Sequence, residues 1–455
     1  MRFHGHSVRF HFAAVFVLAA MMVLPLAAAT PNGVPDPPPT KRIDVTPLGY
    51  MAPSRFYLIY RFSSTTLDFI DDDHLLFTFR HNGLIERVPD AQKDDDDQVI
   101  RALVIEVSSG KVVREAKWRM HDRQAYLWSL GNGKFMIRRR NDLFLTDSTL
   151  ELQPYFNFDT DVQSVEMSPD RKLLMIELAR FAAPKMETKA EGDAADKPAP
   201  TLVPDAPKAA PTLGPDAPKE PPTLGLDAPT AASTREKWTQ ILMYRTADKA
   251  LVAKSEARHP IDLPLLPDGF LDALEGKPPD RWVLRMRPFH DDPKVLGEFR
   301  SACTPTAMTL SESVVFFVGC IDGTGDHAVT ALSTDGSVLW QDRWQQRYIW
   351  PTFDFASNGS RFAYGSLDVN HPIGTMDPFD ETDVAAQMVG VFDTASGKLR
   401  LVKSATPILS AGHNYALSGD GQRFAILRDG SIEVYDLPPV GSAVPAENRS
   451  LSKPN

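Results

Sequence analysis

The chain has 455 residues, of which 43% are hydrophobic and 9% aromatic, enough to bury a large core. A formal net charge of -10 without a basic stripe argues against nucleic acid as the main partner. Beyond the first 29 residues no run approaches the roughly 20 apolar residues a spanning helix needs, so no transmembrane helix is expected in the mature chain.

The N-terminus reads as an export signal. Arg2 and Arg9 form a positive head, an apolar run follows from Phe10 to Leu24, and Pro25-Leu26 leads into Ala27-Ala28-Ala29. That order is a cleavable signal peptide over residues 1–29, and it predicts a secreted or periplasmic protein that begins at Thr30. Its removal takes the formal charge from -10 to about -12, since Arg2 and Arg9 leave with it. Residues 30–46, rich in proline at their start, read as a flexible leader.

From residue 47 to 440 the chain repeats one pattern. A short strand-like run reaches a turn and a second, more apolar run follows at once, as in Val165-Glu-Met-Ser-Pro-Asp-Arg-Lys-Leu-Leu-Met-Ile176. Phe353-Asp-Phe-Ala-Ser-Asn-Gly-Ser-Arg-Phe-Ala-Tyr364 and Asn414-Tyr-Ala-Leu-Ser-Gly-Asp-Gly-Gln-Arg-Phe-Ala-Ile426 are two further copies. Their turns use Ser, Pro, Asn, Asp and Gly, which supply local hydrogen bonds or positive φ. Degenerate versions stand at Asp71–Asp73, Gly131–Gly133, Pro267–Gly269 and Ser311–Ser313.

A second half-motif, strand–turn–strand, follows at variable distance. Ala102-Leu-Val-Ile-Glu-Val-Ser-Ser-Gly-Lys-Val-Val113 matches Gly390-Val-Phe-Asp-Thr-Ala-Ser-Gly-Lys-Leu-Arg-Leu401. The two halves together make four short antiparallel strands, the content of one propeller blade.

Units begin near Leu67, Tyr126, Val162, Ile261, Pro305, Pro351 and His413. The fold expected is therefore all-β: a single β-propeller of seven four-stranded blades, with six or eight blades, or two sandwiches, as alternatives. The last unit lacks a fourth strand before the polar tail at 441–455, and the run Arg55–Phe62 is the expected closing strand. Between two strand-like flanks lies an eleven-residue repeat beginning at Pro200, Pro211 and Pro222. Proline-rich and poor in apolar groups, the segment 183–234 is expected to be a disordered insertion in one blade, with residues 172–180 and 238–245 pairing across it.

On Ser168-Pro169-Asp170 and Asp393-Thr-Ala-Ser-Gly-Lys398 the chain resembles the exported WD-repeat-like and YVTN-type β-propeller superfamily. That resemblance implies a ring of blades. The Gly-His and Trp-Asp signatures of WD repeats are absent, so it implies nothing about their intrablade hydrogen bonds.

Chemistry is sparse by motif. There is no Gly-x-Ser-x-Gly elbow, Walker loop, dinucleotide fingerprint or His-Glu-x-x-His, and no catalytic or cofactor-binding residue is assigned. Val329–Trp340 looks like a repeat of quinone-cofactor propellers, but occurs once, so its tryptophan reads as a docking aromatic. Asp71–Asp73 and Asp94–Asp97 have oxygen ligands for a hard cation without the spacing of a calcium loop, and no metal is assigned. His290-Asp291-Asp292, Asp326 and Asp368 read as loop or turn residues. The two cysteines, Cys303 and Cys320, lie about eight residues either side of a turn at Ser311-Glu312 and are expected to form a disulfide. Arg343, Trp344, Arg347, Tyr348 and Trp350 are the densest aromatic–basic cluster, suited to a binding hot spot or to packing between blades.

The function expected is non-enzymatic: an extracytoplasmic binding or scaffold propeller whose partner is a protein, a small molecule or a glycan. The alternative is a propeller enzyme, a hydrolase, lyase or quinone-linked dehydrogenase with a central-channel site. Three ionisable side chains converging at a channel mouth favour the enzyme; an exposed apolar patch favours binding.

Overall fold

A computed structural model describes residues 36–53, 64–84, 96–181, 237–258, 260–261, 263–277, 280–322, 326–345, 348–371, 373 and 380–441. These residues form seven antiparallel four-stranded sheets. Blade 1 holds β2 (Thr66–Phe69), β3 (His74–Arg80), β4 (Gln98–Glu106) and β5 (Lys111–Met120); blade 2 holds β6 (Leu127–Gly131), β7 (Lys134–Arg139), β8 (Asp142–Thr146) and β9 (Gln153–Asn157). Blade 3 is β10 (Val162–Met167), β11 (Leu173–Phe181), β12 (Lys237–Arg245) and β13 (Leu251–Ala257); blade 4 is β14 (Leu265–Leu266), β15 (Gly269–Glu275), β16 (Arg281–Pro288) and β17 (Lys294–Arg300). Blade 5 is β18 (Thr306–Thr309), β19 (Val314–Cys320), β20 (His327–Ser333) and β21 (Val338–Trp344); blade 6 is β22 (Tyr348–Phe355), β23 (Arg361–Val369), β24 (Val384–Asp393) and β25 (Leu399–Ala405). Blade 7 takes β26 (Tyr415–Leu417), β27 (Arg423–Arg428) and β28 (Ser431–Asp436) from the C-terminal part and β1 (Lys41–Asp44) from the N-terminal part.

The sequence pattern follows from where each strand sits. The second strand of a blade lies between two neighbouring blades, so both of its faces are buried and it reads as a continuous apolar run. In β3, Leu75, Phe77 and Phe79 enter the core shared with blade 7, while Leu76 enters the core shared with blade 2. In β7, Phe135 and Ile137 pack toward blade 1 and Met136 toward blade 3. The fourth strands form the outer rim and are largely exposed, as in β5, β13 and β21. Each fully buried Leu or Phe in these seams contributes about 1.5–3 kcal/mol. One core joins every pair of consecutive blades, and the seventh, holding Ile43, Leu67, Phe77, Ala416 and Leu427, joins blade 7 back to blade 1.

The closing strand corrects an expectation. Lys41–Asp44, within the stretch read as a flexible leader, pairs with Ser431–Val434, and Arg55–Phe62 falls outside the described residues. Only Ile43 of the four is buried, facing the blade 7–blade 1 core. The following residues then cross to blade 1, where Tyr50 meets Phe77 and Phe79 edge-on at 5.3 and 5.6 Å. Lys41 Nζ donates to the Ser108 carbonyl at 2.7 Å, a further link between the two blades. Strand pairing in the ring therefore includes Lys41–Asp44, within the stretch 30–46 read as a leader.

The insertion 183–234 also lies outside the described residues, as do the segments 1–35 and 442–455. Its flanks behave as expected: β11 and β12 pair without interruption from Leu173↔Arg245 to Phe181↔Lys237.

Candidate functional site: the channel mouth

The first strand of each blade lines the central channel, and antiparallel order puts all first-to-second and third-to-fourth turns on one face. There the turns of blades 1, 2, 3, 6 and 7 surround a cavity of about 930 Å³. A second cavity of about 370 Å³, lined by Trp128, Ser164 and Glu166, shares Arg171 and Phe355 with the first.

Three of these turns are built alike. In blade 7, Ser418 Oγ donates to Asp420 Oδ1 at 2.6 Å, the same oxygen accepts from Gln422 N, and Arg423 N donates to Ser418 Oγ. In blade 3, Ser168 Oγ, Asp170 Oδ1, Lys172 N and Leu173 N repeat every one of those bonds. Blade 6 keeps the bond from Ser360 N to Asn358 Oδ1. Each turn needs one residue in the left-handed region. Blades 6 and 7 supply Gly359 and Gly421, at φ 69° and 70°. Blade 3 supplies Arg171 at φ 61°, a conformation that costs an L-residue about 1 kcal/mol or more.

Arg171 reaches the cavity among carboxyls: its charge acts on Asp354, Asp68 and Asp170. Burial lowers its pKa, and those three carboxylates oppose the shift. Among the described residues no acceptor meets its Nε, which is shielded from water.

Asp68 and Asp354 occupy corresponding places on β2 and β22, one residue before the last of each strand, in Thr66-Leu-Asp-Phe69 and Thr352-Phe-Asp-Phe355. Both are half-buried inside the ring, so the charged form is costly. Burial first and the charge of Asp354 second push the Asp68 carboxyl from 3.8 to about 7, against the pull of Arg171. Burial also raises Asp354, opposed by the Leu417 N–H, which donates to Oδ2 at 2.6 Å, and by Arg171. Glu166 holds the corresponding place on β10 and lines the second cavity. Two half-buried carboxyls and a guanidinium from three blades thus converge, a group that can bind charged or hydrogen-bonding solutes or exchange a proton near neutral pH.

The residues singled out by sequence lie elsewhere. Trp344 sits in the seam between blades 5 and 6, with its ring centroid 4.1 Å from that of Tyr364 and 5.4 Å from that of Phe316. Arg343 is exposed and paired with Asp326 at 2.7 Å. Tyr348 and Trp350 belong to β22, while Arg347 lies outside the described residues. Trp340 docks blades: its Nε1 donates to the Thr394 carbonyl at 2.9 Å and its ring lies parallel to Phe362.

Asp71 accepts from His74, Asp73 from Ser108, and Asp96 and Asp97 pair with Arg123 and Arg119. Asp94 and Asp95 lie outside the described residues, among which no group of three or more His, Cys, Asp or Glu is arranged to hold a metal. His290-Asp291-Asp292 forms the exposed β16–β17 turn, and Asp368 pairs with Tyr348 in the blade 6 ladder. The Cys303–Cys320 disulfide is formed, with Cα atoms 5.5 Å apart.

Sequence reasoning missed Asp68, Asp354 and Arg171. The signal was present: a Thr-x-Asp-Phe ahead of two turns and an arginine where sibling turns hold glycine.

No protein-family model matches the chain, and no curated protein matches it. Among solved structures, an acylaminoacyl peptidase in complex with Z-Gly-Gly-Phe-chloromethyl ketone aligns with a TM-score of 0.43 at 8% identity, over 85% of this chain and 52% of its own. The Pyrococcus horikoshii acylaminoacyl peptidase aligns at 0.41 and 9%, over 80% and 49%. A chain of the mitotic checkpoint complex aligns at 0.42 and 10%, over 93% and 99%. This chain spans about half the length of those peptidases. Identities of this order say nothing of a shared activity.

Proposed function

We propose that this β-propeller is an extracytoplasmic binding protein that takes a small polar ligand at the channel mouth. The observation that carries the reading is that Asp68, Arg171 and Asp354, from three blades, face one cavity, where no acceptor among the described residues meets Arg171 Nε. Buried polar groups are ordinarily satisfied, so such a donor calls for a partner. The cavity is of the size that holds small ligands. Export is supported by the signal-like N-terminus and by the disulfide, which suits an oxidising compartment. Calorimetric titration with sugars, polyols, amines, carboxylic acids and amino acids should find a binder whose affinity falls at least tenfold in Asp354→Asn. A full panel that distinguishes neither protein would reject the site.

A second reading, a channel enzyme, is favoured by the convergence of three ionisable side chains, Asp68, Asp354 and Arg171, at the channel mouth, with the proton of Asp68 held up to about neutral pH as a general acid–base needs. Turnover of the bound solute, with kcat abolished in Asp68→Asn at saturating solute, is the result that selects it; an unchanged solute after prolonged incubation selects the binding protein.

A further inference from the structure

Arg171 stands where the equivalent turns of blades 6 and 7 hold Gly359 and Gly421. The turn does not need this side chain and is strained by it, since the left-handed region favours glycine. Positions that break a local rule in this way concentrate at functional sites. What the guanidinium offers follows from its hydrogen bonds. Its Nε is shielded from water and meets no acceptor among the described residues. Across the same cavity, no group among the described residues donates to the Asp68 carboxyl, and Asp354 accepts only from backbone N–H groups, those of Leu417 and Phe355. A carboxylate has about four acceptor positions, so both acids have room for further donors.

A cation alone leaves the Arg171 guanidinium, which meets no acceptor among the described residues, unmatched. An anion alone satisfies Arg171 but meets Asp68 and Asp354, with Asp71, Asp72, Asp147, Asp170 and Asp420 against Lys134 in the same lining. Only a molecule with both charges answers both requirements. Arg171 lies within the field of both carboxyls, so the opposite charges must be close together on the ligand. Building on the channel-mouth reading above, we propose that the ligand is a small zwitterion of the α-amino acid class. Arg171 takes its carboxylate, and Asp68 with Asp354 takes its ammonium. Leu130, Phe355 and Leu417 line the same cavity and give an apolar side chain a place to lie.

The test titrates the purified protein calorimetrically with the twenty common amino acids and with their N-acetyl and methyl-ester derivatives. At least one amino acid is expected to bind, with each of its blocked forms at least tenfold weaker. Arg171→Gly, which restores the residue used by the sibling turns, is expected to keep the circular dichroism and melting temperature and lose at least tenfold in affinity. Equal binding of blocked and free forms overturns the proposal. So does binding of a diamine that tightens in Arg171→Gly, or of a sugar with no amino acid binding; both leave the mouth as a ligand site. If nothing in either panel binds, the zwitterion proposal and the channel-mouth reading fall together.

Discussion

Arg361 and Arg171 both sit inside the ring, one in the seam between blades 6 and 7 and the other at the channel mouth. Arg361 is fully buried, and every arm of its guanidinium ends on an acceptor: Nε on Asp393 Oδ1 at 3.0 Å, Nη1 on the Gly421 carbonyl at 2.6 Å, Nη2 on the Pro438 carbonyl. Asp393 in turn accepts from Arg400. Burial alone would raise the Asp393 carboxyl, but the bonds from Arg400 and Arg361 outweigh it and hold its pKa below the ordinary value. Arg171 has its Nε idle and two carboxyls nearby whose protons are held more tightly than usual. The same side chain is consumed by the fold in one place and left available in the other. Counting its hydrogen bonds distinguishes a strut from a site better than its charge or depth does.

Substitutions can break this contrast, beginning where the effect is largest. Arg361→Ala leaves Asp393 buried with one cation and the Gly421 and Pro438 carbonyls without their donor, and it should cost about 3–5 kcal/mol in urea unfolding. A loss below about 1 kcal/mol would place Arg361 with Arg171 rather than opposite it. A second strut gives a yardstick: the paired change Cys303→Ser and Cys320→Ser opens a loop with a sequence separation of 17 and should cost about 3 kcal/mol by the same measurement.

At the mouth the expected effects are smaller and depend on pH. The native Asp68 carboxyl holds its proton more tightly than in the unfolded chain, so the folded state carries the extra proton between pH 3.8 and about 7. Stability from this group is therefore full below pH 3.8 and declines as pH rises toward 7. Asp68→Asn removes the charge, so it should flatten that decline and make the variant more stable than the parent at pH 8, by about 1 kcal/mol after screening by channel water. Equal unfolding midpoints at pH 5 and pH 8 for both proteins would contradict the raised carboxyl. The smallest change is expected for Arg171→Gly. Relief of the left-handed strain and the greater freedom of glycine in the unfolded chain oppose each other, leaving stability within about 1 kcal/mol of the parent.

Much of the ring was legible because its blades obey local rules. The turns at Ser168, Ser357 and Gly419 declare themselves by composition, and the doubly buried second strands by unbroken apolar runs. The unit starts expected at Leu67, Tyr126, Val162, Ile261, Pro305, Pro351 and His413 fall within four residues of β2, β6, β10, β14, β18, β22 and β26. The closing strand was not legible, because Lys41-Arg-Ile-Asp44 lies on an outer edge and needs only one buried side chain, whereas Arg55–Phe62 offers a richer apolar pattern. The site was hidden for another reason. Asp68, Arg171 and Asp354 are spread over nearly 290 residues, from 68 to 354, and each alone is an ordinary turn-flanking residue. Only closure of the ring brings blades 1, 3 and 6 to one mouth.

That closure also sets an order of events during synthesis. Lys41 is made among the first residues of the ring and its partner Val434 among the last, 393 positions later (41 to 434). The hairpins within each blade can form as soon as they emerge, but the seal waits until both ends of the chain exist. A chain stopped before Tyr415 lacks blade 7 and is an open arc. It displays the blade 1 face of Leu75, Phe77 and Phe79, whose cover comes from blade 7 and the N-terminal segment. Until blade 7 is made, that apolar face lacks the cover of Ala416, Ala425, Leu427 and Val434, and it must be kept from pairing with another copy until the first strand reaches the last blade.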